Sequence, residues 1–378
     1  AGRPMRDKVD GALEAPAADG PLTEISEKWL GTDITRPATG ADTAVAPAEG
    51  DAVAPAAEAA PAAAPGATPA PFHQHARDPL APAEAFFVTA RDGIRLRLGL
   101  WRPDGTPRAT VLLFQGRTEY LEKYAPAARR LTAAGLAVLA IDWRGQGLSD
   151  RLIADPRPGH IDHFSSYQID VAALVAAAEA LALPRPWRLL AHSMGGAIGL
   201  AALAEGLPVA SAAFSSPMWG IHHAPLPGPV VMGIAGTARR LGRGRRAAVG
   251  TGGEGTFVLD APFRGNALTG NAAEWARLVA EAGAWPELTL GGATYDWVRA
   301  GLAECRRLAT LPSPEIPAVI GLGGREEVVS PQAIRARAAR WPAARLAEYP
   351  DGHHELLMET PAIADAFMAE VLSLFAKA

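Results

Sequence analysis

Ser193 stands where a serine can serve as a nucleophile. It lies in WRLLAHSMGGAIGLAA, after a short apolar run (187–191) and before a stretch of Ala, Gly and aliphatic residues that favours helix. The setting matches the strand-turn-helix pattern G-x-S-x-G, with Ala191 in place of the first Gly. Small residues are required there because the turn is tight and neighbouring backbone passes close, and Ala is the smallest residue after Gly. A serine at such a turn either caps the helix or attacks a substrate. An acid and a histidine follow downstream in the order this arrangement uses: GLGGREEVVSP carries Glu326 just past the strand-like PAVIGL, and EYPDGHHELLMETP carries His354 just past the strand-like ARLAEY. Taken alone, His354 reads as a surface histidine and Glu326 as a solvated charge. With Ser193 they form a set for acyl transfer, in which imidazole takes the hydroxyl proton and a carboxylate orients the ring. Glu327 competes with Glu326 as the acid, and because successive residues of an extended segment point to opposite sides, only one of them can face His354.

Acyl transfer also needs backbone N–H donors for the developing oxyanion. One comes from the residue after the nucleophile, Met194. The other comes from the loop after the strand in VLLFQGRTEYLEKY, where Arg117 follows Gln115-Gly116; without the other residues, Gln115-Gly116 would be an ordinary turn.

These residues need elements to position them. Residues 1–82 read as a disordered tail, because from about 35 to 82 Ala and Pro dominate and almost no large apolar side chain is present. One segment before that stretch, LTEISEKWLG, could form a short amphipathic helix. From about 84 onward FFVTARDGIRLRLGLWRP reads as a β-hairpin turning at Asp92-Gly93. Short apolar strands then alternate with helices: strands at 109–114, 136–141, 187–191 and 209–214, and helices at about 122–134, 167–183 and after Ser193. Wholly apolar strands separated by helices imply a parallel sheet covered on both faces. The expected organisation is a core in two parts, 83–216 and 311–378, split by a helical insertion at 217–310. In that insertion the strand pattern lapses, and it reads as a lid over the sheet's C-terminal edge.

Composition excludes several classes. The 378 residues, 49% hydrophobic and 20% charged, can bury a large core. Lys and Arg total 36 against 40 Asp and Glu, so no overall basic field recruits nucleic acid. Cys305 is the only cysteine, which removes disulfides within the chain and cysteine zinc sites; it reads as a small buried side chain. No apolar run reaches the length of a membrane span, about 18 residues, and AGRPMRDKVDGALEAP lacks the apolar core of a secretory signal. The expected location is cytoplasmic. His222-His223 reads as lid surface, since adjacent histidines rarely converge on one ion and no acidic third ligand is spaced to help. Arg239, Arg240, Arg243, Arg245 and Arg246 form a local basic patch that reads either as a solvated helix end or as a contact for a lipid phosphate or the inner membrane surface. No metal and no cofactor is expected, and the oligomeric state stays open.

FQGRTEYLEKY, IDWRGQGLSDR, AHSMGG, REEVVSP and HHELLME together resemble the lysophospholipase L2 branch of the monoacylglycerol-lipase-like α/β hydrolases, the serine aminopeptidase S33 type, from about residue 85 to the C-terminus. The resemblance implies an α/β-hydrolase fold, a mostly parallel sheet flanked by helices with an inserted helical lid. It implies a single-chain lipid ester, a lysophospholipid or a monoacylglycerol, as substrate. The family pattern places the acid two residues before the paired apolar step, here Val328-Val329, which selects Glu326. The chain departs from many relatives in having Gln115 where they have His and Glu326 where they have Asp. Asp142 then reads as fixing loop structure alongside Arg144. Met218, Trp219, Val230, Val231, Met232 and Ile234 would either line an acyl-chain site or form lid core. Alternatives are a small-ester carboxylesterase, an amide hydrolase and, from another class, a non-catalytic binding protein on a hydrolase scaffold.

Overall fold

The hairpin that turns at Asp92-Gly93 pairs β2 (Glu84–Thr89) with β3 (Arg95–Trp101), and Gly93 takes the positive φ of +85° that the turn requires. Beside β3 lies the apolar centre of the sheet. It comprises β4 (Ala109–Phe114), β5 (Leu136–Asp142), β6 (Trp187–His192), β7 (Ser211–Ser215) and β8 (Ala318–Gly323), each buried along its whole length, and β9 (Ala344–Tyr349) at the far edge. The structure, a computed structural model, describes residues 66–74, 83–222, 226–252 and 255–377. One compact unit comprises Ala63–Ala261 with Asn266–Ala378; of a smaller one, only Pro262–Gly265 lie among the described residues.

A short strand, β1 (Thr68–Pro69), extends the sheet beyond β2, and the order is β1-β2-β3-β5-β4-β6-β7-β8-β9. The first three pairings along this order are antiparallel and the other five are parallel. The connections after β4, β5 and β6 carry α1 (Ala125–Ala133), α2 (Ser166–Ala180) and α3 (Met194–Ala204). Alternate residues of each strand feed two apolar clusters: Leu112 and Phe114 enter one with α2 and α3, while Val111 and Leu113 enter the other with α1 and the C-terminal helix. A parallel sheet buried on both faces follows from that pattern.

Between β7 and β8 lie α4 (Gly228–Arg240), α5 (Phe257–Asp260), α6 (Ala272–Ala284) and α7 (Tyr295–Thr310). Only isolated bridges, no sheet strands, occur among the described residues of this insertion. The core closes with α8 (Pro331–Ala338) and α9 (Pro361–Lys377). Cys305 is buried in α7.

Residues 66–74 correct the expected extent of the tail. Thr68 and Pro69 pair with Phe87 and Phe86, Phe72 packs edge-on to Trp101 at 5.8 Å, and the Pro71 carbonyl accepts from Arg97 Nη1 at 3.0 Å. Phe72 supplies the apolar anchor that the Ala/Pro stretch otherwise lacks. LTEISEKWLG and the remainder of the tail lie outside the described residues. The helix expected from 122 is also displaced: Leu121–Tyr124 forms a 3-10 turn, and α1 begins at Ala125 with Pro126 in its first turn.

Candidate active site

The sheet brings the ends of four strands together. Ser193 follows β6, Arg117 follows β4, Glu326 follows β8 and His354 follows β9, all at the C-terminal edge, where open α/β sheets place their sites. Ser193 has φ +49° and ψ −118°, a backbone that a non-glycine residue adopts only where its surroundings enforce it. They do so through three main-chain hydrogen bonds: Ser193 N donates to the Ser215 carbonyl at 3.0 Å, and its own carbonyl accepts from Gly196 at 2.9 Å and Met218 at 2.8 Å. The glycines after it are sterically required. A Cβ on Gly195 would lie 2.1 Å from the Phe114 carbonyl oxygen, and one on Gly196 would lie 2.5 Å from Cβ of Pro217.

Ser193, His354 and Glu326 form one hydrogen-bonded line. Ser193 Oγ lies 2.9 Å from His354 Nε2, and His354 Nδ1 lies 2.8 Å from Glu326 Oε2. The other oxygen of Glu326 accepts the amides of Val328 at 2.7 Å and Val329 at 2.9 Å. Burial works against the Glu326 charge, but the His354 ring and these two amides outweigh it and hold the carboxyl below the usual glutamate range. Glu326 is buried and Glu327 exposed. Of the two adjacent histidines, His353 turns instead to Glu359, with Nδ1 at 2.7 Å from Oε1. The loop holding His354 is pinned to the insertion by His354 N to Ala267 O at 3.3 Å and Glu355 N to Leu268 O at 2.8 Å.

Met194 opens α3, where the first N–H groups have no acceptor within the helix and point out of its N-terminus. On the loop after β4 the Gly116 amide is taken by a carboxylate oxygen of Glu119, leaving the Arg117 amide as that loop's candidate donor. The Gln115 side chain turns inward, with Nε2 donating to Asp142 Oδ1 at 2.9 Å. Asp142 also accepts from Leu121 N at 3.0 Å, Leu148 N at 2.9 Å and Arg97 Nε at 2.6 Å, so it braces the loops around it. Arg144 pairs with Asp170 and Asp92 instead. The Arg117 guanidinium donates to the Gly291 carbonyl at 2.9 Å and lies 5.1 Å over Trp297, and burial lowers its pKa to about 10.

Two of the residues read as either acyl-chain site or lid core belong to the main core instead. Met218 and Trp219 are buried in the main core, where the Trp219 indole donates to the Gly196 carbonyl at 3.0 Å. His222 is exposed, its amide donating to the Val328 carbonyl at 3.1 Å, and His223 lies outside the described residues.

Reading the sequence missed a buried group of charges beside the line. Glu119, Lys123, His192 and Glu355 come together there; Glu119, His192 and Glu355 are each within two residues of a candidate residue in the chain. The available signal was the i, i+4 spacing of Glu119 and Lys123, together with the ionisable neighbours inside AHS and HHE.

Residues 105–361 match the family model described as serine aminopeptidase, S33. The chain belongs to this family of α/β hydrolases. It is 32% identical over 300 residues to lysophospholipase L2 of Escherichia coli strain K12, covering 76% of this chain and 86% of that protein. It is 34% identical over 120 residues to human monoglyceride lipase, covering 30% of this chain and 36% of that protein. Among solved structures, a soluble variant of monoglyceride lipase from Saccharomyces cerevisiae superposes with a TM-score of 0.64 at 16% identity, over 81% of this chain and 99% of that one. A carboxyl esterase from Bacillus coagulans follows with 0.61 at 15% identity, over 77% and 97%. This S33 protein is an ester hydrolase with the α/β-hydrolase fold.

Proposed function

We propose that this enzyme cleaves the acyl ester of a lysophospholipid or monoacylglycerol, with Ser193 as nucleophile, His354 as base and Glu326 as orienting acid. The observation that carries the reading is the hydrogen-bonded line from Ser193 Oγ through His354 to Glu326, with 2.9 and 2.8 Å between its members. His354 Nε2 takes the Ser193 proton as Oγ attacks the ester carbonyl, and Glu326 stabilises the imidazolium that forms. The amides of Met194 and Arg117 receive the oxyanion. Collapse expels the alcohol, which leaves with the proton from His354. Water, deprotonated by the same ring, then releases the fatty acid from the acyl-enzyme.

The lipid substrate class is supported by the names of the relatives, lysophospholipase and monoglyceride lipase. It is also supported by the insertion's surface. The exposed large apolar side chains among the described residues run from Leu226 to Leu259, and Leu226, Val230, Ile234 and Leu241 recur at helical spacing along and beyond α4. Arg240, Arg243 and Arg245 are exposed beside them, whereas Arg239 is paired with Asp296 at 2.8 Å. We read residues 217–310 as a lid whose apolar, basic face meets an anionic lipid surface.

Two measurements test the reading. A fluorophosphonate should label the wild type and not Ser193→Ala, and hydrolysis should fall to near background in that variant; retained turnover in a clean preparation would remove Ser193 from the mechanism. A panel of lysophosphatidylcholine, monoacylglycerol and short p-nitrophenyl esters should favour the long-chain substrates, and a preference for the short esters would assign the site to a carboxylesterase instead.

A further inference from the structure

The buried charges beside the reacting line come from three different loops. Glu119 is two residues after Arg117, His192 immediately precedes Ser193, and Glu355 immediately follows His354. Lys123 joins them, with Nζ 2.5 Å from Glu119 Oε1 and 2.7 Å from Glu355 Oε1. The second oxygen of Glu119 accepts from the Tyr124 hydroxyl at 2.6 Å and from the Gly116 amide. Glu119, His192 and Glu355 could by themselves ligate a metal ion. The Lys123 ammonium bridges both carboxylates, however, so the chain supplies its own cation.

His192 faces acceptors on both sides. Its Nδ1 lies 3.0 Å from the Ser215 carbonyl and 3.2 Å from the Ser215 hydroxyl. Its Nε2 lies 3.3 Å from Glu355 Oε2 and 3.6 Å from Glu119 Oε1, ion-pair distances without hydrogen-bond alignment. A ring protonated on Nε2 alone would meet the two carboxylates and leave Nδ1 to accept from the Ser215 hydroxyl at the longer 3.2 Å; a proton on each nitrogen meets the carboxylates and also the nearer Ser215 carbonyl at 3.0 Å. Burial opposes that charge, but Glu355 and Glu119 outweigh it and hold the ring's proton above the ordinary histidine range, against a smaller opposing effect of Lys123. For Glu355, burial is likewise outweighed, here by His192 and Lys123, which hold the carboxyl well below the usual range. Two carboxylates and two cations then balance in a site closed to water. The His192 ring centroid lies 4.8 Å from that of His354.

We propose that His192 is a positioning residue held as an imidazolium, and that its fixed positive charge beside His354 keeps that base free to take the Ser193 proton while the buried charges lock the three loops together. This rests on the reading of Ser193 and His354 as nucleophile and base. Without the cation, the group would set an excess negative charge against His354 and favour its protonated form, which cannot act as a base. The ionisable and polar groups facing His192 are Glu119 on the loop after β4, Lys123 on the 3-10 turn, Ser215 at the end of β7, and His354 and Glu355 on the loop after β9; Tyr124 stands behind Glu119, donating to it.

The test is the pH profile of kcat/KM on an ester substrate. His192→Gln retains a donor without the charge and should move the acid limb upward by about one pH unit or more, the scale on which a unit charge about 5 Å away acts at an effective dielectric of about 20. Adding Glu355→Gln restores the charge balance and should bring the limb back toward the wild type. If His192 were merely structural, kcat would fall at every pH with the limb unmoved and the second substitution would add to the damage; that result overturns the proposal. Should His192→Gln not fold, 15N NMR of the unsubstituted protein near neutral pH decides: both ring nitrogens of His192 should be protonated, and a neutral ring overturns the proposal. Fluorophosphonate labelling separates the two readings. Labelling that persists in Ser193→Ala defeats the nucleophile assignment, whereas labelling confined to Ser193 with an unmoved acid limb defeats only the role of His192.

Discussion

Nδ1 of His354 lies 2.8 Å from Oε2 of Glu326, and Glu327, the next residue, points away into solvent. The difference arises from the turn after β8, where the amides of Val328 and Val329 close on Glu326 Oε1 and fix its side chain inward. Glu326→Gln should therefore lower kcat by about 10³-fold or more, because the ring loses the carboxylate that sets its tautomer and stabilises its charged form. Glu327→Gln should change kcat by less than about tenfold. Steady-state kinetics of both variants check this, and reversed effects would transfer the acid role to Glu327.

The same carboxylate gives a stability that depends on pH. Glu326 is held below its ordinary range in the folded chain, so as pH falls the unfolded chain binds the proton first. Its contribution is complete above the unfolded glutamate value and is lost as pH drops through the lower folded value. The difference in Tm between wild type and Glu326→Gln should be largest near neutral pH and shrink as pH falls below the ordinary glutamate range. A gap that widens with acid would contradict it.

Gly195 leaves no room for a methyl group, since its Cβ would meet the Phe114 carbonyl oxygen at 2.1 Å and that of Gln115 at 2.6 Å. Gly195→Ala must displace either the serine turn or the loop bearing Arg117, and a misplacement of about 1 Å costs about 10²-fold in rate. Gly233→Ala in α4 meets nothing within 4 Å and should leave kcat unchanged while raising helix stability by up to about 1 kcal/mol. Paired measurements of kcat and Tm test the contrast.

Residues 66–74 hold the outer edge of the sheet through β1, Phe72 and the Pro71 carbonyl. A chain starting at residue 83 should therefore melt lower than one starting at residue 66, by about 2–4 °C for each kcal/mol lost in a domain of this size. Equal melting temperatures would show that β1 contributes nothing to stability.

By itself the sequence determined the periodic features of the protein and the order of its candidate residues. Apolar strands at 109–114, 136–141 and 187–191 can be buried only in a doubly covered parallel sheet; Ser193 follows the last of these, and Glu326 and His354 follow the later strand-like runs PAVIGL and ARLAEY. Alternation along an extended segment further required that Glu326 and Glu327 face opposite ways. What the sequence left undetermined depends on contacts between distant segments. Phe72 anchors its stretch only because Trp101 is brought beneath it, and Met218 and Trp219 became core because the chain leaving β7 passes directly under the serine turn. The buried charges show the limit most clearly. Glu119, His192 and Glu355 are separated by 73 and 163 residues, and no local pattern distinguishes them from solvated charges. Only the convergence of three loops at one sheet edge removes water from them, and that desolvation makes their mutual pairing obligatory.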